Sequence, residues 1–98
     1  MFLVVVMHSC KPDMIDIAIR RIDRNGDMMA EVPGFLFRHR TRAAHSDRVI
    51  GTVTAWESEA AYEQWLERKR SIPDDGPYPY ESATSERHHV ERSHMPAA

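Results

Sequence analysis

The sequence holds a single cysteine, Cys10, in 98 residues. An internal disulfide is therefore excluded, and so are a CxxC redox pair and a cysteine-based zinc site, each of which needs at least two thiols. A reducing, cytoplasmic setting is expected. Long hydrophobic runs are missing as well: the stretch from Phe2 to Met7 falls far short of the roughly 18 apolar residues that span a bilayer and has no basic segment before it. No targeting segment and no membrane partner are expected. There is no excess of basic charge, with 13 Lys and Arg against 15 Asp and Glu, so the electrostatic footprint of a nucleic-acid binder is absent. The four glycines form neither GxGxxG nor GxxxxGK, and no GxSxG turn occurs, which leaves no sequence basis for a phosphate-cradling loop or a nucleophile elbow. Six histidines are present without HExxH or a facial carboxylate motif, and His88 and His89 would point to opposite faces of a strand. Neither a metal nor a cofactor is expected.

What is present fits one small domain. A chain of 98 residues buries only roughly 60–65% of the surface it exposes when unfolded, so it gains from a partner that covers more. A homodimer is expected, with residues 1–95 as the domain and 96–98 as a C-terminal tail.

The run Phe2 to His8 is β-branched and continuous, the pattern of a central strand covered on both faces. Apolar residues then recur at Ile15, Ile19, Ile22 and Met29 with Ala18 beside them, which places them on one face of a first helix. Asp13 is its candidate N-cap, and Asn25-Gly26 should weaken or bend the last turns. After the stop at Val32-Pro33-Gly34, a second strand alternates, with Phe35, Phe37, His39 and Thr41 on one face and Leu36, Arg38, Arg40 and Arg42 on the other. A turn over Ala43 to Asp47 leads into a third strand, Arg48 to Trp56, with Ile50, Thr52, Thr54 and Trp56 on one side. Ser58 is the N-cap of a second helix that runs to about Arg70. Ser71 to Pro79 is a proline-rich loop, and a polar strand is expected over Ser85–Ser93. The order βαββαβ is the ferredoxin-like arrangement of the α+β class: an antiparallel sheet with its helices on one face.

The informative chemistry is aromatic. Trp56 closes the third strand, and Tyr62 and Trp65 follow on the next helix, where side chains with an apolar body and a polar handle can bind a planar ligand and still donate to it. The same residues would serve equally as core between helix and sheet. His39, beside Phe35 and Phe37, is a candidate acid or base, or a hydrogen-bonded structural histidine. Cys10 reads as structural, with no helix N-terminus arranged to lower its pKa.

Two blocks, Glu31-Val32-Pro33-Gly34-Phe35-Leu36 and Trp56-Glu57-Ser58-Glu59-Ala60-Ala61-Tyr62, resemble the antibiotic biosynthesis monooxygenase domain of the dimeric α+β barrel superfamily. The resemblance covers residues 2–66 and fades beyond them. It implies a homodimer that oxygenates an aromatic or polyketide-like intermediate with dioxygen, through a substrate carbanion and without metal or flavin. The family's tryptophan falls on Trp56 and its tyrosine on Tyr62, while its asparagine falls on Thr52, a departure that puts that contact in question. With His39 as the nearby base, the expected catalytic set is Trp56, Tyr62, Thr52 and His39. A non-oxidative cyclase or isomerase, and a ligand-binding or structural dimer without catalysis, remain as alternatives because the superfamily hosts many activities. Haem degraders of the superfamily carry an asparagine on strand one and a histidine ten residues beyond a helix-two tryptophan. Trp65 answers that tryptophan, but strand one lacks the asparagine and the position beyond is Asp75, so haem degradation is not expected.

Overall fold

The computed structural model describes residues 1–73 and 76–97. Its elements run β1 (Phe2–Cys10), α1 (Ile15–Met29), β2 (Phe35–Arg42), β3 (Val49–Trp56), α2 (Glu59–Arg70) and β4 (Tyr80–His89). The four strands form one antiparallel sheet in the order β2-β3-β1-β4, the ferredoxin-like βαββαβ fold read from the sequence.

Strand β1 is central, paired to β3 on one side and to β4 on the other. Its side chains alternate between two different environments. Phe2, Val4 and Cys10 are buried under the helices. One cluster joins Phe2 and Val4 to Trp56, Tyr62, Trp65, Met29 and Val32, and a second joins Cys10 and Ile50 to Ala18 and Ile22 of α1. Both helices thus cover the same face. The other face is not covered within the chain, contrary to the expectation from the continuous apolar run: Leu3, Val5, Val49 and Val53 are only half-buried, and Met7 and Phe37 are each 38% exposed.

The N-cap of helix α1 is Met14, not Asp13, and no side chain caps it. It also runs unbroken through Asn25-Gly26 to Met29. The reason lies across from Gly26, where a Cβ would come within 3.1 Å of Arg38 Nη1. The missing side chain is the space through which Arg38 reaches the helix. Helix α2 behaves as its sequence indicates: Ser58 accepts from the Ala61 amide at 3.2 Å, Glu59 sits in the first turn, and Arg68, Lys69 and Arg70 complement the dipole in the last.

Two strands depart from expectation. Strand β4 spans Tyr80–His89 rather than Ser85–Ser93 because its register is dictated by β1. Its last rung, Phe2 opposite His89, is followed by one more bond, from the Val90 amide to the Met1 carbonyl at 2.9 Å. In β2 the simple alternation fails. Phe35 lies opposite Trp56 but Phe37 lies opposite Ala55, so Leu36 is an extra, unpaired residue, a β-bulge. Beyond it the faces exchange: Arg38, Arg40 and Arg42 pair with Thr54, Thr52 and Ile50 on the helix side, while Phe37, His39 and Thr41 lie on the open side.

Among the described residues no helix is long and apolar enough to cross a membrane, and no three His, Cys, Asp or Glu side chains converge on a metal position.

Gly34 turns the chain into β2 with φ of 89°, a region that L side chains rarely adopt, and a Cβ there would sit 2.6 Å from the Ala61 Cβ on α2. Gly34→Ala should therefore lower unfolding free energy by about 1–3 kcal/mol or more, measured by urea denaturation, whereas alanine at Gly76, whose surroundings are open, should cost less.

Candidate functional site

Between the sheet and its two helices lies a cavity of about 380 Å³, within the range of small-molecule sites. The inward rows of the sheet form its floor. At one end Trp56 pairs with Phe2, at the middle Thr52 pairs with Val6, and at the far end Ile50 pairs with His8.

The Trp56 end is aromatic. The Tyr62 ring packs 5.8 Å from Phe2 and 6.0 Å from Trp56, Phe35 meets Trp56 edge-on at 5.5 Å, and the Arg87 guanidinium lies 5.0 Å from the centre of the Tyr62 ring. Trp56 and Thr52 are almost completely enclosed, at 0% and 1% exposure. Both nevertheless leave a polar atom, Trp56 Nε1 and Thr52 Oγ1, without a hydrogen-bond partner. Native interiors pair such groups almost always. Both residues line one cavity, and a shift of the side chains around them would open this indole N–H and hydroxyl to a ligand oxygen.

The opposite end is polar, and most of it was not legible in the sequence. His8 Nδ1 lies 3.2 Å from the Ile50 carbonyl. A carbonyl can only accept, so Nδ1 carries the proton and Nε2 is left as the acceptor. The ring stacks on Tyr80 at 4.4 Å. Burial pushes the His8 pKa below its ordinary value of 6.5; the bond to Ile50 opposes this, and the charges of Arg38 and Lys69 lower it further. The imidazole is thus neutral at pH 7 and able to take a proton. Arg38 crosses to α1 and donates from Nη1 to the Ile22 carbonyl at 2.7 Å, but its enclosed Nε has no partner. Burial lowers its pKa, offset by Asp23 and Tyr80, and a guanidinium still keeps its charge. Tyr80 is raised, first by burial.

Of the four residues expected to act together, the structure brings Trp56, Tyr62 and Thr52 to this cavity. His39 is not among them. It pairs with Val53 on the open face and stacks on Phe37 at 5.0 Å, because the Leu36 bulge turns it away and puts Arg38 inside. The inward histidine is His8, which shares the even-numbered parity of Phe2, Val4 and Val6; that alternation was the available signal. Cys10 is enclosed, its thiol pKa raised by burial, in keeping with a structural role.

The sequence profile of the antibiotic biosynthesis monooxygenase family matches residues 1–71. The chain belongs to the antibiotic biosynthesis monooxygenase family. No curated protein matches the sequence. Among solved structures, the chain is similar to the haem-degrader MhuD from Mycobacterium tuberculosis, at TM-score 0.75 and 16% identity over 95% of this chain and 98% of that one. It is also similar to SnoaB, a cofactor-independent oxygenase from Streptomyces nogalater, at TM-score 0.68 and 13% identity over 94% of each chain. An antibiotic biosynthesis monooxygenase aligns at TM-score 0.68 and 13% identity, covering 92% of this chain and 98% of the other. At these identities the likeness is one of fold. Members of this fold thus include both an oxygenase and a haem degrader. Asp75, the position set against the haem degraders' histidine, lies outside the described residues.

His8 also ties stability to pH. Its folded pKa lies below its unfolded one, so the unfolded chain binds more protons in the interval between them, and stability is full above about pH 6.5 and falls as pH drops through the folded value. Thermal melts between pH 7.5 and pH 5 should show a loss in the wild type that is smaller in His8→Asn, which keeps a donor for Ile50 but does not titrate.

Proposed function

We propose that this antibiotic biosynthesis monooxygenase family member is a homodimeric, cofactor-independent oxygenase of a planar phenolic substrate, polyketide-like in character, working in the cytoplasm. The observation that carries the reading is the pair of enclosed, unpartnered donors, Trp56 Nε1 and Thr52 Oγ1, on the wall of an aromatic-lined cavity. Donors held in place in a water-poor site stabilise an oxyanion as it develops without having to reorganise.

In this reading an anthrone-like substrate loses a methylene proton to His8 Nε2, and the resulting charge spreads through its conjugated ring system to oxygens that meet Thr52 and, farther along the cavity, Trp56. The carbanion passes one electron to dioxygen; the substrate radical and superoxide then combine, forming the C–O bond of a peroxide. The peroxide accepts a proton and loses water, leaving a carbonyl where the methylene was. One dioxygen is consumed, one oxygen atom stays in the product, and the other leaves as water. Tyr62, wedged between Phe2 and Trp56, provides a flat surface that orients the ring system. His8 replaces His39 as the proton acceptor.

Two chains complete the fold. The apolar open face of Leu3, Val5, Met7, Val53 and Phe37 is the surface that a second copy would bury, and a two-fold contact of like sheets covers it in both subunits at once. Val53→Glu should turn a two-chain mass into a one-chain mass in light scattering after gel filtration; an unaltered mass for the variant would argue against pairing through this face.

The direct test of activity is dioxygen uptake by metal-stripped, flavin-free protein offered anthrones and hydroquinones. Uptake above buffer should fall about a hundredfold in Trp56→Phe, which removes one donor, with the fold retained by circular dichroism. Product formed under nitrogen would favour a cyclase or isomerase instead. Stoichiometric haemin binding followed by ring opening with a reductant would favour haem degradation, the activity of MhuD.

A further inference from the structure

The cavity's polar end has a charge problem that the reading above does not use. Arg38 is an interior cation: its guanidinium extends under α1 through the space left by Gly26, spends Nη1 on the Ile22 carbonyl at 2.7 Å, and keeps an enclosed Nε with no partner. Asp23, a carboxylate that acts on it, is engaged with Arg40 at 2.9 Å. Lys69, from the last turn of α2, lines the same cavity, and both cations act on the His8 ring. Among the described residues that line the cavity there is no Asp or Glu. Burying a cation without a paired anion is costly, and elsewhere the chain supplies ion pairs readily, as at Arg68 with Glu31 and Arg48 with Glu81.

We propose that this end of the cavity takes an anionic group of the substrate: the ring system carries a carboxylate that seats against Arg38, with Lys69 beside it. The guanidinium presents a planar fork of donors that matches a carboxylate. The length of the cavity then divides by function. The Trp56–Tyr62 end holds the flat face of the ring system, and the Arg38 end, whose charge acts on His8, fixes its orientation by the charged substituent. This deepens the oxygenase reading and rests on it for the identity of the cavity as the substrate site.

The test uses two redox-stable probes of one shape, an anthraquinone carboxylate and the matching carboxamide, titrated calorimetrically into the full-length protein at neutral pH. The carboxylate should bind about tenfold tighter or more, the scale expected of one charge-assisted hydrogen bond set against a neutral one. That preference should shrink to within about threefold in Arg38→Gln and be only partly kept in Arg38→Lys, which retains the charge but loses the fork. Equal affinity for the two probes, a preference unchanged in Arg38→Gln, or no binding of either would overturn the proposal. Should Arg38→Gln fail to fold by circular dichroism, Arg38→Lys and Lys69→Gln decide, since an undiminished preference in both would overturn it. The two readings fail separately. Carboxylate preference without dioxygen uptake would retain the anion site and remove the oxygenase, whereas uptake with neutral anthrones and no preference between probes would do the reverse.

Discussion

Phe35 sits opposite Trp56 and Phe37 opposite Ala55, so the sheet takes in Leu36 without a rung of its own. Every side chain beyond that residue on β2 faces the opposite way from an unbroken alternation, because strand parity has a period of two and a single added residue inverts it. The ring of Phe35 remains inward against Trp56 and closes the aromatic end of the cavity. The next inward residue is then Arg38 rather than a histidine. The inward cation that β2 contributes to the cavity, Arg38 in place of His39, follows from that one irregularity.

The rest of the molecule is arranged around the same inversion. Gly26 contributes an absence: with no Cβ in the way, the Arg38 side chain lies against α1 and satisfies the Ile22 carbonyl. Arg40, also turned inward along β2, reaches past the sheet edge to Asp23 on α1, an exposed pair of small energetic weight that nonetheless engages a carboxylate acting on Arg38. The enclosed donors of Trp56 and Thr52, and the enclosed Nε of Arg38, are polar atoms at this cavity that have no partner among the described residues. Such groups are tolerated where another molecule completes them.

Much of the architecture was legible because it rests on local patterns that the tertiary structure does not override. The apolar run of β1, the Pro33-Gly34 stop, the Ser58 cap and the alternation of Ile50, Thr52, Thr54 and Trp56 each specify their element. Three of the four expected site residues reach the cavity for the same reason: Thr52 and Trp56 share a parity on β3, and Tyr62 lies one turn into α2. What was not legible depends on pairing. A bulge has no signature in a strand as regular as Phe35 to Arg42, so plain alternation points His39 inward and Arg38 outward, the reverse of the observed register. The limits of β4 were equally hidden, since its polar residues carry no hydrophobic period and its extent is set by the length of β1. His8 was visible in principle by counting from Phe2, but a continuous apolar run conceals parity.

The pairing of β1 with β4 joins residues at opposite ends of the sheet's sequence, Phe2 with His89. Such long loops close slowly, because the entropy of bringing distant segments together is lost before the contacts that offset it are made. During synthesis β1 can meet β3 well before its other edge is filled, and until residues 80–89 have been made that edge presents open backbone groups beside apolar side chains. This interval is the chain's window for strand addition by a wrong partner, the hazard of unpaired edges in slowly closing sheets. The polar, charge-bearing sequence of β4, with Glu81, Glu86 and Arg87, leaves a poorly adhesive rim once the window closes.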